Sequence, residues 1–315
     1  VGVVPVLDER VDKLAQLTHS AKKIYATVDF CDIAGLVEGA SHGEGLGNQF
    51  LSHIREVDVL VYVLRAFLND KIVNVRNEIN VIKDKEILDM EMALKDLSVV
   101  EKRIAGLEKD AKTGKKEAIK ELELMKKILD FLEQGEVLNN KDWSLEESVS
   151  LKGLQLLTAK PRIYLLNGAE QEVSQETRAF FEKNNLPYVI MDVAMEAESA
   201  GFTQEERKEL GLNENSSLDV LIQECYKLLG LITFFTTGPD ETRAWNLRKG
   251  LKAPQAGGVI HTDFEKSFIR AEVINWNDLL VLGGFSQAKS KGIVKTEGKD
   301  YIVCDGDVIE ILHSA

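Results

Sequence analysis

The chain has 315 residues, of which 44% are hydrophobic and 29% charged, with a formal net charge of -13 and three cysteines. That balance excludes a globally disordered chain, and three widely separated thiols (Cys31, Cys225, Cys304) exclude a disulfide framework or a zinc-binding cysteine array. The acidity excludes a protein that coats nucleic acid non-specifically, because that affinity comes from neutralising phosphates, so any RNA contact must come from a local basic patch. No apolar run reaches the roughly 18 residues of a membrane span, and no secretory signal is visible. The length suits two or three domains. Because residue 1 is valine and not methionine, the natural start is expected upstream.

In chain order, Val1 to Val6 is β-branched and apolar and predicts a strand. Ala26 to Cys31 predicts a second, ending in the turn Asp32-Ile33-Ala34-Gly35. A glycine-rich stretch follows through Gly39, Gly43, Gly45 and Gly47, and Asn48 is suited to cap a helix reaching about Glu56. Val57 to Leu64 is a near-continuous apolar run, the pattern of a strand buried on both faces, with Asp58 near its solvent-facing start. Ile163 to Leu166 and Tyr188 to Met191 have the same character, and Gln175 to Asn184 between them has helical composition. Strands alternating with helices predict a parallel sheet with crossover helices.

Glu86 to Glu133 reads differently. Met90, Ala93, Leu97, Val100, Ile104 and Leu107 step by three and four, as do Ala118, Leu122, Met125, Leu129 and Leu132. Two such seams, joined by the polar stretch Asp110 to Lys116 with Gly114, predict an antiparallel helical hairpin. A helix over Leu218 to Leu229 closes this region. Beyond it, Leu231 to Thr236, Thr242 to Leu247, Ile269 to Ile274, Tyr301 to Cys304 and Val308 to Leu312 predict short strands. Short helices are expected at Asp263 to Ser267 and Asn275 to Val281. The resulting domains are a sheet domain over 1–82 and 152–229, a hairpin over 83–151, and a small α+β domain over 230–315.

Two features carry chemistry. A strand that delivers Asp-x-x-Gly into a glycine-rich loop suits a nucleotide triphosphate. The aspartate holds magnesium, usually through water, and a glycine N–H reaches the terminal phosphate because no side chain blocks it. Asp32 and Gly35 take those places. The second feature is Asn167-Gly168-Ala169-Glu170 at the end of a buried strand, the edge where open α/β sheets bind ligands. Guanine-specific sites carry Asn-Lys-x-Asp there, the aspartate accepting from guanine N1–H and the 2-amino group. Gly168 and Glu170 in place of that lysine and aspartate favour ATP over GTP.

These residues bring a resemblance into view. Asp32-Ile33-Ala34-Gly35-Leu36 through Gly43-Glu44-Gly45-Leu46-Gly47-Asn48 resembles the switch II region of the YchF subfamily of Obg-like ATPases. His261 through Ala271 resembles that subfamily's C-terminal TGS domain, a β-grasp module. Gly298 to Val303 and Asp305-Gly306-Asp307 are similar to the same domain's last hairpin. The likeness spans essentially the whole chain. It implies an α/β fold: a Ras-like P-loop NTPase domain interrupted by a coiled-coil hairpin, followed by the TGS domain. It also implies an ATP-hydrolysing factor that uses ATP and Mg2+, works in the cytoplasm and contacts the ribosome and ribosomal RNA, with no membrane or DNA partner. By position, Asp32 is the metal residue and Asn167, Gly168 and Glu170 lie at the adenine, with Val193 and Ala194 in the neighbouring base-side loop.

The pattern also departs from the family. No Gly-x-x-x-x-Gly-Lys-Ser/Thr occurs in these 315 residues, so the chain as written is expected to bind nucleotide poorly and to be inactive by itself. Leu36 stands where Ras-like enzymes carry a water-orienting glutamine. Asn74 stands where the family has a candidate histidine; it can orient water but cannot act as a base near neutral pH. His42 in the switch loop is the other catalytic candidate. For RNA phosphates, Lys112, Lys115, Lys116 and Lys120 cluster near the hairpin tip and Arg243, Arg248, Lys249 and Lys252 in the first TGS strands. Two alternatives stay open: a noncatalytic ribosome- or RNA-binding module lacking a P-loop, and a GTPase of the same superfamily.

Overall fold

The computed structural model describes residues 1–33, 54, 57–69, 79–210, 212 and 216–314. The chain opens with β1 (Gly2–Pro5), α1 (Glu9–Thr18), β2 (Lys22–Ile24) and β3 (Thr27–Phe30), then reaches β4 (Leu60–Arg65). Two long helices, α2 (Val81–Lys112) and α3 (Lys116–Glu133), precede α4 (Leu145–Leu154), β5 (Arg162–Asn167), α5 (Gln175–Lys183) and β6 (Tyr188–Met191). Short helices α6 (Val193–Glu198) and α7 (Gln204–Glu209) lead to α8 (Ser217–Leu228). The C-terminal part contains β7 (Leu231–Thr237), β8 (Glu241–Arg248), α9 (Ala253–Ile260), α10 (Thr262–Lys266) and β9 (Phe268–Asn275). It ends with α11 (Trp276–Leu282), α12 (Phe285–Ser290), β10 (Lys295–Glu297) and β11 (Asp307–His313). None of the described helices is long and apolar enough to cross a membrane.

The residues fall into two compact units, one formed by Asp32–Leu221 and one by Val1–Cys31 with Ile222–Ala315. The first holds the expected parallel sheet, ordered β4-β5-β6, with Leu60 opposite Arg162 and Arg65 opposite Asn167. Central β5 is buried from Arg162 to Leu166. β4 departs from the expectation of burial on both faces. Leu60, Tyr62 and Leu64 enter the core beside Met92, Tyr164 and Phe181, while Val63 on the opposite face is 60% exposed. β4 therefore alternates like an edge strand. The helix expected from Asn48 lies outside the described residues except for Ile54, which is helical and buried.

The hairpin forms as its periodicity predicts. Ala93, Val100 and Leu107 of α2 face Ala118, Met125 and Leu132 of α3, and Gly114 supplies the positive φ that the turn requires. Two details differ. Met90 is about half exposed and lies over Gly135. α3 also buries Leu124 and Ile128, because Leu138, Leu151 and Leu156 cover a second stripe on it. The root of the hairpin is held by charge: Arg162 of β5 bonds Asp89 of α2 and the Tyr62 hydroxyl, each at 2.8 Å. Asp96 accepts from the Leu157 and Thr158 amides and the Thr158 hydroxyl.

The second unit contains a six-stranded sheet ordered β10-β9-β11-β7-β8-β2 and an antiparallel β1-β3 pair. Val1–Cys31, expected in the sheet domain, thus lies with the C-terminal segment: β2 adds in parallel to β8, Lys22 opposite Glu241. Helix α1, absent from the sequence expectation, starts on Asp8, whose carboxylate accepts from the Arg10 amide. Its spacing Val11, Leu14, Ala15 is the signal that could have revealed it. One predicted strand is corrected. Tyr301 to Cys304 is irregular apart from Ile302, which bridges to Lys252, because the Asp307 carboxylate draws in the Tyr301 hydroxyl and the Cys304 amide, both at 2.8 Å.

Candidate functional site

The C-terminal edge of the parallel sheet is tied together by three bonds at Asn167 and Gly168. Its carbonyl accepts from the Ala66 amide at 2.8 Å, the Gly168 amide donates to Met191 at 3.1 Å, and the Asn167 side-chain oxygen accepts from the Val193 amide at 3.2 Å. The ends of β4, β5 and β6 therefore share one rim. The loop carrying Ala194 is shaped by Asp192, whose carboxylate accepts from the amides of Ala194 and Met195. Behind it, Glu196 accepts from Arg207, the Ser216 hydroxyl and the Ser217 amide. Burial opposes the ionised form of Glu196, and these hydrogen bonds outweigh it, holding the carboxyl below its usual range.

Gly168 has a steric reason to be glycine. A Cβ there would sit 3.2 Å from the Ala66 carbonyl carbon and the Phe67 nitrogen, and 3.1 Å from a Glu172 oxygen. The same Glu172 oxygen accepts from the Ala169 amide at 2.7 Å and closes the turn. Glu170 projects outward, with its side chain 66% exposed and paired to Arg178 at 2.7 Å. Two residues that sequence reasoning passed over also border this turn. Arg65 lies over the Phe67 ring, 4.8 Å from its centroid, and donates to the carbonyls of Phe67 and Asn69. Their signal was available: they end the strand next to β5, on the ligand-binding edge.

Of the phosphate-end candidates, Asp32 is exposed just past β3, and Ile33 after it packs against the core of the parallel sheet. Gly35, Leu36, His42 and Asn74 lie outside the described residues. Among the described residues no group of three His, Cys, Asp or Glu side chains could hold a metal. The basic candidates are partly committed: Lys115 pairs with Asp110, Lys120 with Glu146 and Lys252 with Asp300, while Arg243 stacks 3.9 Å from the Trp245 ring centroid. His261, for which the sequence suggests no chemistry, accepts from the Asp263 amide at the start of α10.

Comparison with known proteins locates this architecture. A family model described as "50S ribosome-binding GTPase" matches residues 8–103, and one named YchF-GTPase_C, described as a protein of unknown function, matches residues 231–314. The chain is 43% identical to a protein named ribosome-binding ATPase YchF from Bacillus subtilis, over 98% of this chain and 87% of that one. The chain belongs to the YchF family. The likeness to the YchF of Escherichia coli O157:H7 is also 43%, over 99% and 88% of the two chains. The solved structure of the YchF GTPase of Schizosaccharomyces pombe superposes with a TM-score of 0.87 at 36% identity, covering 98% of this chain and 86% of that one. The resemblance read from the sequence is borne out, as is an α/β fold joining an NTPase domain to a YchF-specific C-terminal domain. Within the YchF family the names differ on the nucleotide: the two bacterial relatives are called ATPases and the yeast structure a GTPase.

Proposed function

We propose that the chain is a ribosome-binding ATPase that acts as a nucleotide switch, with adenine at the Asn167–Glu170 turn and the phosphates toward Asp32. The observation that carries the base end is the Asn167–Val193 bond. It commits the amide oxygen of Asn167 and leaves its NH2 group as the donor for a purine ring nitrogen, on a rim built from three strand ends. Glu170 is one methylene longer than the aspartate that reads guanine, and Arg178 engages its carboxylate. An acceptor-only carboxylate suits the N6 amino group of adenine. The names of the bacterial relatives support the same nucleotide and the ribosome as partner.

Magnesium fits the phosphate end through Asp32, because this cation keeps several waters and typically takes one or two carboxylates plus substrate phosphates. When bound it neutralises charge on the phosphates. Ile33, half-buried against the sheet core, holds the backbone beside Asp32. Gly35 follows the terminal phosphate, Asn74 or His42 orients the attacking water, and Ala194 with Gly168 shapes the base pocket. Ribosomal RNA is met by the hairpin tip, where seven basic and three acidic residues lie between Lys102 and Lys120 of an otherwise acidic chain. The C-terminal module acts as a TGS domain, and the protein works in the cytoplasm.

The test is calorimetric titration of the complete gene product with Mg-ATP and Mg-GTP. The expected result is a preference for ATP of at least about tenfold, or ~1.4 kcal/mol. A GTP preference overturns the base assignment. Ribosome binding without measurable affinity for either nucleotide points instead to the noncatalytic module.

A further inference from the structure

α6 begins with Val193 and Ala194, the residues assigned to the base-side loop, yet it has no apolar anchor. It is 6 residues long, too short to persist by its own hydrogen bonds. Val193, Ala194 and Met195 are exposed, as are Ala197 and Glu198. Between Val193 and Ala200 only Glu196 and Ser199 turn inward, in places where an ordinary surface helix buries apolar side chains. Their bonds hold the helix from behind. Glu196 accepts from Arg207 at 3.2 Å, from the Ser217 amide at 3.0 Å and from the Ser216 hydroxyl at 2.8 Å. Arg207, itself buried, donates through its other terminal nitrogen to the Ser199 hydroxyl, which donates to the Met195 carbonyl at 2.8 Å. At the front of the helix, the Val193 amide donates to Oδ1 of Asn167. All of these residues lie in the body formed by Asp32–Leu221.

We propose that Glu196 is a positioning residue for the base end of the nucleotide site. An asparagine amide carries its acceptor and its donor on a single rotor, so the bond from Val193 to Oδ1 decides where the NH2 group points. Glu196 and Arg207 keep that backbone amide in place through α6. Without them α6 swings free, the Asn167 side chain loses its orienting donor, and its NH2 group no longer faces the purine. Glu196 itself touches no nucleotide atom. The inference rests on the assignment of adenine to the Asn167–Glu170 turn.

The experiment compares ATP with 7-deaza-ATP, in which a C–H replaces N7, the ring acceptor that an asparagine amide meets on adenine beside N6. Affinities in the presence of magnesium are measured on the complete gene product, unsubstituted or carrying Asn167→Ala, Glu196→Ala, both together, or Glu196→Gln. Their ratio cancels any general weakening, which a purely structural role would impose on both nucleotides alike. The unsubstituted protein should prefer ATP about tenfold, the scale of one hydrogen bond, and Asn167→Ala should show no preference. Glu196→Ala should keep about threefold or less, and the double variant should match Asn167→Ala, because both act through one contact. Glu196→Gln retains an oxygen for Arg207 and Ser217 and should recover part of the preference. If Glu196→Ala fails to fold, Ser216→Ala, which removes one bond from a half-buried hydroxyl, carries the test with about a twofold loss of preference. Full preference in the Glu196 and Ser216 variants, with preference lost in Asn167→Ala, overturns the positioning role alone. No preference in the unsubstituted protein, or full preference in Asn167→Ala, overturns the base-end reading beneath it.

Discussion

At its first residue β5 buries a guanidinium, and at its last it presents an amide to an open turn. Arg162 is held by Asp89, Tyr62 and the carbonyl of Thr158, and Lys85 takes the second oxygen of Asp89. Burial opposes that charge, and its partners still leave the Arg162 pKa raised. Among the described residues the Asn167 side chain bonds Val193, and its neighbour Glu170 lies in solvent beside Arg178. A dry end with its charges paired can only hold the hairpin root in place. A wet end with unused hydrogen-bonding capacity can accept a ligand. The strand thus joins a mechanical anchor to a solvated edge, and the division follows from desolvation: a buried charge must be matched permanently, whereas an exposed group can exchange water for another partner.

That contrast can be broken most severely at the dry end. Arg162→Ala empties a buried site, strips Asp89 of one of its two cations and the Thr158 carbonyl of its donor, and should cost ~3–5 kcal/mol in chemical denaturation. A loss below about 1 kcal/mol, the scale of an exposed ion pair, would show that the root is not the anchor described here. At the wet end, Gly168→Ala pushes a Cβ toward the backbone of Ala66 and Phe67 and should cost ~1–3 kcal/mol by overpacking. Nucleotide affinity should weaken with it, and unchanged binding would separate the turn from the base site. The smallest effect concerns pH. Glu196 is held below its ordinary value of 4.5, so its contribution is present above that pH and is lost as pH falls through the lower folded-state value. Protection from hydrogen exchange over residues 193–199, relative to the intrinsic rate at each pH, should therefore fall on acidification below 4.5 in the wild type. Glu196→Gln should be less protected at neutral pH and lose little further protection on acidification. Equal acid sensitivity in both proteins would remove Glu196 as the cause.

Much of this was legible before any coordinates. The apolar runs at Ile163 and Tyr188 and the seams of the hairpin are local periodicities, and a polar tetrapeptide after a buried strand marks a binding edge. The neighbours of that tetrapeptide were harder to see. Nothing in Arg65 or Phe67 announces that they face Gly168 until β4 is laid beside β5 in register. Tyr301 to Cys304 was misread because its apolar residues suit a strand, while the bonds that bend it come from Asp307, outside the segment.

From the sequence alone came the strands and helices of the sheet domain, the hairpin with its Gly114 turn, the family, and the residues proposed for the two ends of a nucleotide site. Each depends on spacing within a few residues, which the chain writes out directly. The tertiary structure alone decided that Val1–Cys31 joins the C-terminal module, that Arg10 meets Asp305, and that Arg162 locks the hairpin root. Those contacts link residues that are distant in sequence. Their partners are selected by burial and pairing across the fold, and no periodicity records them.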